Sequence, residues 1–302
     1  MWTSQRQTTR WFFNYLFIAF QTFPLVLMGQ TTLEITATGQ TPVGFERVFG
    51  KKVQVFGLTV FATRSTSDSK LLHAANVLAQ YLDNDADGIA DNKLVLKSLQ
   101  KERGAVVMFA SQREAMGIDI HRYIPEKVWD QMILVALFGN ETLPSGAANG
   151  RFDATYEEVL HLITSGGYAH AYPRIFGETA GTSIAKAMDS ARGGHFTRTP
   201  RAYPQSAWYT YYDRSCDYQC QITEYIYWGI TSIIGAQDFP GRFEQISDEW
   251  RLNTPAKLKS GDPVLYGLLS DPQYSFPTKL PDGTYRPQWK NTPTRPGFPS
   301  TR

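Results

Sequence analysis

The longest charge-free stretch comes first. Trp11 to Met28 carries no charged residue and follows a short segment with Arg6 and Arg10 and no acid, the pattern of a secretory signal. It predicts export, with cleavage after Gly29 and residues 1–29 removed. Asn14, Gln21 and Pro24 interrupt the run and argue against a retained anchor, which needs about twenty apolar residues. Residues 30–44, rich in Thr and Gly, read as an extended lead-in.

Periodicity then sets out the elements. Val53, Val55, Leu58 and Val60 predict a strand over Lys51–Thr63, and Ala105–Phe109 predicts a second. Between them, Leu71, Ala75, Leu78 and Leu82 share one face of a helix over Lys70–Leu82, with Ser67 or Asp68 to cap it. Asn92–Lys101 reads as another helix. Beyond Glu126 the periods are helical: Val128–Phe138, Tyr156–Ile163, Thr182–Arg192 closed by Gly193, and Gln219–Ile234 with a stripe of Ile222, Ile226, Gly229, Ile230 and Ile233. Seven prolines from Pro272 onward exclude regular helix or a central strand in the tail. The expectation is an α+β fold with a small N-terminal sheet and a mainly helical second half. It places one domain over residues 45–270 and an extended proline-rich tail over residues 271–302.

Composition narrows the function classes. At 302 residues, 42% hydrophobic and 14% aromatic, the chain has ample material for a core. A net charge of +2, from 30 basic and 28 acidic residues, gives no electrostatic pull toward nucleic acid or an anionic membrane. The two cysteines, Cys216 and Cys220, predict a local disulfide in an exported chain.

Asp83-Asn84-Asp85-Ala86-Asp87-Gly88-Ile89-Ala90-Asp91 spells D-x-D-x-D-G-x-x-D. Alternating aspartates can turn their carboxylates toward one centre, Gly88 permits the sharp bend, and Ile89 can offer its carbonyl oxygen to a hard cation. The segment resembles the calcium loops of EF-hands, dockerins and thrombospondin type 3 repeats. The resemblance implies calcium at Asp83, Asp85, Asp87, Ile89 and Asp91. Leu94 stands where an EF-hand has its bidentate glutamate, so the remaining oxygens must come from elsewhere. A solvated acidic turn is the other reading, set against four carboxylates repelling one another within nine residues.

Thr155-Tyr156-Glu157-Glu158-Val159-Leu160-His161 puts Glu157 and His161 four apart on one helical face. The string is similar to the H-E-x-x-H motif of zincin metallopeptidases, with glutamate in place of the first histidine. The similarity implies zinc on Glu157 and His161, Glu158 as the general base, and a peptide or amide substrate. Glu224, on a later helix and off its apolar stripe, is the candidate third ligand, with His170 and His195 as competitors. The alternative is a capping box of Thr155 and Glu158 with an ordinary Glu157–His161 helical pair. His73, among leucines and alanines, reads as a core or boundary histidine.

Tyr203 to Trp228 is dense in aromatic residues, and an exposed row of them would instead mark a carbohydrate-binding or adhesive protein stabilised by calcium.

Overall fold

The computed structural model describes residues 33–40 and 42–288, so the predicted signal segment and the end of the tail lie outside the described residues. The run Lys51–Thr63 does not form one strand. Phe56 and Gly57 take φ values of 48° and 79°. Two positive φ angles make a two-residue turn whose twist matches the flanking strands. The run therefore folds into a hairpin of β2 (Lys51–Val55) and β3 (Leu58–Ala62), with Val55 opposite Leu58. The short β1 (Thr36–Ala37) pairs antiparallel with β2 on the hairpin's outer edge.

From β3 the chain runs through the helix Asp68–Leu82, the acidic loop and the helix Lys93–Lys101 into β4 (Ala105–Phe109), which lies parallel to β3. Two helices are the crossover that a parallel pair requires. The second expectation to fail is the helix Val128–Phe138. Only Glu126–Trp129 is helical there, and Leu134–Phe138 is β5, parallel to β4 with Leu134 opposite Ala105. A short apolar run fits a two-faced buried strand as well as a helix, and the free edge of β4 decides the outcome. Among the described residues the five strands form one mixed sheet in chain order.

Both faces of the sheet are covered. Phe61, Val107 and Phe109 pack with Phe45, Phe49 and Ile124 on one side. Val53, Val55, Val60, Val106, Met108 and Leu137 face the larger core, which contains the helical half of the chain. There the helix Tyr218–Ile233 is buried on nearly all sides from Gln221 to Ser232, as expected of a helix in the middle of a core. Helices Thr155–Leu162, Ser183–Ala191, Pro255–Gly261 and Pro263–Ser270 pack around it. Gly229 allows the last of these close contact, since a Cβ there would lie 2.5 Å from Leu269. The predicted Cys216–Cys220 disulfide forms and clips the first turn of this central helix.

The aromatic residues of Tyr203–Trp228 mostly enter this core: Tyr209 and Tyr225 are fully buried, and Tyr211, Tyr227 and Trp228 nearly so. Tyr212 is the large exposed one among them. The described part of the proline-rich tail is extended but not loose. Tyr274, Phe276 and Tyr285 belong to the core, and Phe276 stacks on Tyr168 with ring centroids 3.9 Å apart. No helix among the described residues is long and apolar enough to cross a membrane.

Candidate metal centres and the cleft beside them

The helix Thr155–Leu162 starts without the predicted capping box. Thr155 is its first helical residue, and its buried hydroxyl makes no hydrogen bond. Asp153 does the work instead, its Oδ1 accepting from the amides of Thr155 and Leu143, each at 3.0 Å. Its Oδ2 lies 2.6 Å from Nε2 of His73, and both residues are buried. His73 is thus a core histidine, as its neighbours implied, and it anchors the start of the helix that carries Glu157 and His161.

At its other end this helix widens into a π-helical segment, Ile163–Tyr168. Such segments recur near functional sites. Gly166 and Gly167 lie against Leu99 and Val95 of the helix that follows the acidic loop, and a Cβ on Gly167 would come within 2.6 Å of Val95. The acidic loop and the Glu157–His161 helix are therefore mechanically joined through a glycine contact.

Glu157, His161 and Glu224 come together, each offering a ligand atom within 4.8 Å of the others. Nε2 of His161 faces Glu224 Oε2 at 3.4 Å, within ion-pair distance, but the buried nitrogen closes no hydrogen bond. Glu158 sits at the other ring nitrogen, its Oε2 3.7 Å from Nδ1. Glu224 lies off the apolar stripe yet is buried, because the central helix is covered on nearly all sides, and it accepts a hydrogen bond from the Tyr211 hydroxyl at 3.1 Å. The competitors stand apart: His170 pairs with Glu102 and His195 with Asp189.

Charge is unbalanced here. Burial, and then the charge of Glu224, push Glu157 up to about 8. For His161 burial disfavours the cation, but the carboxylates of Glu224 and Glu158 outweigh it and hold the imidazolium well above its ordinary range. Protons occupy what a divalent cation would otherwise neutralise, and one imidazole with two carboxylates is a donor set such cations accept.

Glu157 and Glu224 line a cleft of about 450 Å³ together with Tyr211, Trp228, Arg242 and Glu249. Glu249 is pushed up to about 7 by burial and then by Glu224, and accepts a hydrogen bond from Trp228 Nε1 at 3.2 Å. Glu158 does not line this cleft. Sequence reading missed Asp153, Tyr211 and Glu249. An aspartate just before a helix start is a readable cap signal. The other two reach the site from distant segments and leave no local pattern.

The acidic loop begins where Asp83 ends its helix. Its carboxylate is buried and accepts from the Asp87 amide at 3.1 Å, the Gly88 amide at 2.7 Å and the Tyr285 hydroxyl at 2.5 Å. Gly88 takes φ 87°, as the predicted bend requires. Asp83, Asp85 and Asp91 bring carboxylate oxygens within 4.8 Å of one another and could hold a metal ion. Asp87 is not in that group, and its Oδ1 accepts from the Ile89 amide at 2.9 Å. The side chain of Leu94 is exposed. Burial, with the charges of Asp83, Asp85 and Asp87, pushes Asp91 up to about 6 despite a hydrogen bond from the Asn84 amide.

The tail straps this loop. Asn84 Oδ1 accepts from the amides of Thr278 and Lys279 at 2.9 and 3.1 Å, Asn76 Oδ1 from Tyr285 at 2.8 Å, and Ala86 O from Gln288 at 2.7 Å.

No family model, no curated protein and no solved structure matches this chain, so the residues themselves carry the functional argument.

Proposed function

We propose that this protein is an exported, metal-dependent hydrolase of peptide or amide bonds, stabilised by calcium on its acidic loop. One observation carries the reading: Glu157, His161 and Glu224 converge around a buried histidine nitrogen that closes no hydrogen bond, and Glu157 and Glu224 line a cleft. Three protein ligands and an open side are what a catalytic zinc site needs. Zinc there would polarise the scissile carbonyl. Water adds to the carbonyl carbon, the carbon–nitrogen bond breaks, and the proton lost by water passes to the leaving nitrogen.

Glu158 lies on the far edge of the imidazole from Glu224, which suits it to orient the ring, as carboxylates beside ligating histidines do. The proton transfer is better assigned to Glu249, which shares the cleft with Glu157 and Glu224. The carbohydrate-binding alternative needs an exposed aromatic row, and these aromatics are mostly buried.

Elemental mass spectrometry of the purified protein tests the metal assignments. Stoichiometric zinc lost in His161→Ala but kept in Asp85→Ala, with calcium showing the reverse, is the expected result. Calcium alone in the wild type sinks the hydrolase and leaves a calcium-stabilised binding protein.

Calcium removal has its own expected effect. Without a cation, Asp83, Asp85 and Asp91 repel one another beneath the strap. Chelation should speed tryptic cleavage after the exposed Lys279 severalfold, and added calcium should reverse it. Because Asp91 is raised to about 6, protons compete for the site and calcium protection should fade below that pH. A cleavage rate indifferent to chelator would show that the loop needs no ion.

A further inference from the structure

One wall of the cleft is made by two segments far apart in sequence. Tyr209 and Trp250 form an antiparallel bridge. Beside it the Thr210 amide donates to Glu249 O at 2.8 Å, the Thr210 hydroxyl to Asp248 O at 2.5 Å, and the Arg251 amide to Trp208 O at 3.1 Å. This stitching brings Asp213, Asp248 and Glu249 to the same cavity as Glu157 and Glu224.

Positive charge is scarce around them. Arg242 is the one basic residue in the described lining, and it is already engaged. Its Nε donates to Gln237 Oε1 at 2.7 Å, and its guanidinium stacks over Phe152 at 4.3 Å. The ion pairs that lysine and arginine make among the described residues all lie elsewhere. Five carboxylates thus line the cleft against one guanidinium, and Asp213 and Asp248 among them are exposed at its rim.

The aromatic groups add to this field. Tyr211, Tyr212, Tyr227 and Trp228 line the same space, with Tyr212 exposed at the rim. Aromatic faces attract alkylammonium and guanidinium groups that carboxylates also hold. A volume of about 450 Å³ fits one or two side chains of an extended peptide.

We infer that the cleft selects peptides carrying a lysine or arginine side chain next to the bond to be cut. The inference rests on the proposed hydrolase reading for the bond, but not for the charge preference. Lys or Arg enters among Asp213, Asp248 and Glu249, and the backbone beside it is presented to Glu157 and Glu224, which line the same cleft.

Calorimetric binding of the end-blocked pentapeptide Ala-Ala-Lys-Ala-Ala, against the same peptide with its lysine side chain acetylated, is the test. It is run on metal-free and zinc-loaded protein. The lysine peptide should bind about tenfold tighter, and the preference should weaken as salt is added. D213N/D248N changes two exposed rim positions and should remove most of the preference, while D119N/D130N, at exposed positions outside the cleft, should keep it. Equal binding of the two peptides, absence of binding by either, or a preference untouched by D213N/D248N overturns the inference. A lysine preference in a protein that takes up no zinc would instead overturn the metal reading alone.

Discussion

Glu224→Gln is expected to abolish zinc affinity and to flatten the pH dependence of the metal-free protein's stability. In the metal-free state Glu224 raises Glu157 toward about 8, second only to burial itself. A carboxyl raised in the fold contributes its stability below the unfolded pKa and loses it as pH climbs through the folded value. His161, held high by Glu224 and Glu158 against its own burial, acts in the same direction. The melting temperature of metal-free wild type should therefore fall between about pH 5 and pH 8, because Glu157 gives up its proton into a crowded negative site over that range. Removing the Glu224 charge should flatten that fall. Zinc replaces the protons, so the loaded wild type should gain most at the alkaline end. With a ligand lost, Glu224→Gln should bind zinc more than about a hundredfold more weakly, exceeding the loss seen when only a supporting residue is changed. Thermal melts across pH, with and without zinc, read both effects. If Glu224→Gln keeps both the pH dependence and the zinc affinity of the wild type, Glu224 neither charges this cluster nor binds the ion, and the case for a metal centre falls with it.

How much of this was legible in the sequence depended on range. The helices Asp68–Leu82, Lys93–Lys101, Ser183–Ala191 and Tyr218–Ile233 agree with their apolar spacing to within a few residues. Strand β5 did not, because Leu134–Phe138 is apolar throughout and only its partner β4 makes it a strand. The hairpin turn at Phe56-Gly57 was hidden for a related reason, since a bulky residue at positive φ hides a turn that Asn or Asp would have signalled. At the candidate centre, Glu157 and His161 could be paired by counting along a helix. Glu224 could be named only as a candidate. What brings it in is the packing of the central helix against the helix Thr155–Leu162, together with the Tyr211 hydroxyl. The cleft wall was not legible at all, since the segments bearing Asp213 and Glu249 meet through the Thr210–Glu249 and Arg251–Trp208 backbone hydrogen bonds, which side-chain patterns do not encode.

The pair His73–Asp153 sets the second large expectation, and its sign in pH is opposite. Burial alone would raise Asp153, but the hydrogen bond from His73 and those from Leu143 and Thr155 outweigh it and hold the carboxyl below its ordinary range. Such a group contributes stability above the unfolded carboxylate pKa and loses it as pH falls through the folded value. Asp153→Ala leaves His73 and two amides unpaired in the core and should cost about 3–5 kcal/mol near neutral pH, measured by urea unfolding. The gap between mutant and wild type should narrow below about pH 4, as pH falls from the unfolded carboxylate value through the lower folded one. Asp153→Asn keeps an acceptor for the amides and should recover part of the loss. The effect reaches the candidate centre because Asp153 fixes the first turn of the helix bearing Glu157 and His161. Zinc affinity in Asp153→Ala should fall with stability even though Asp153 touches no ligand. A variant that unfolds less readily than this, by under about 1 kcal/mol, would mean that water replaces the lost partners and that the helix start is held by other contacts.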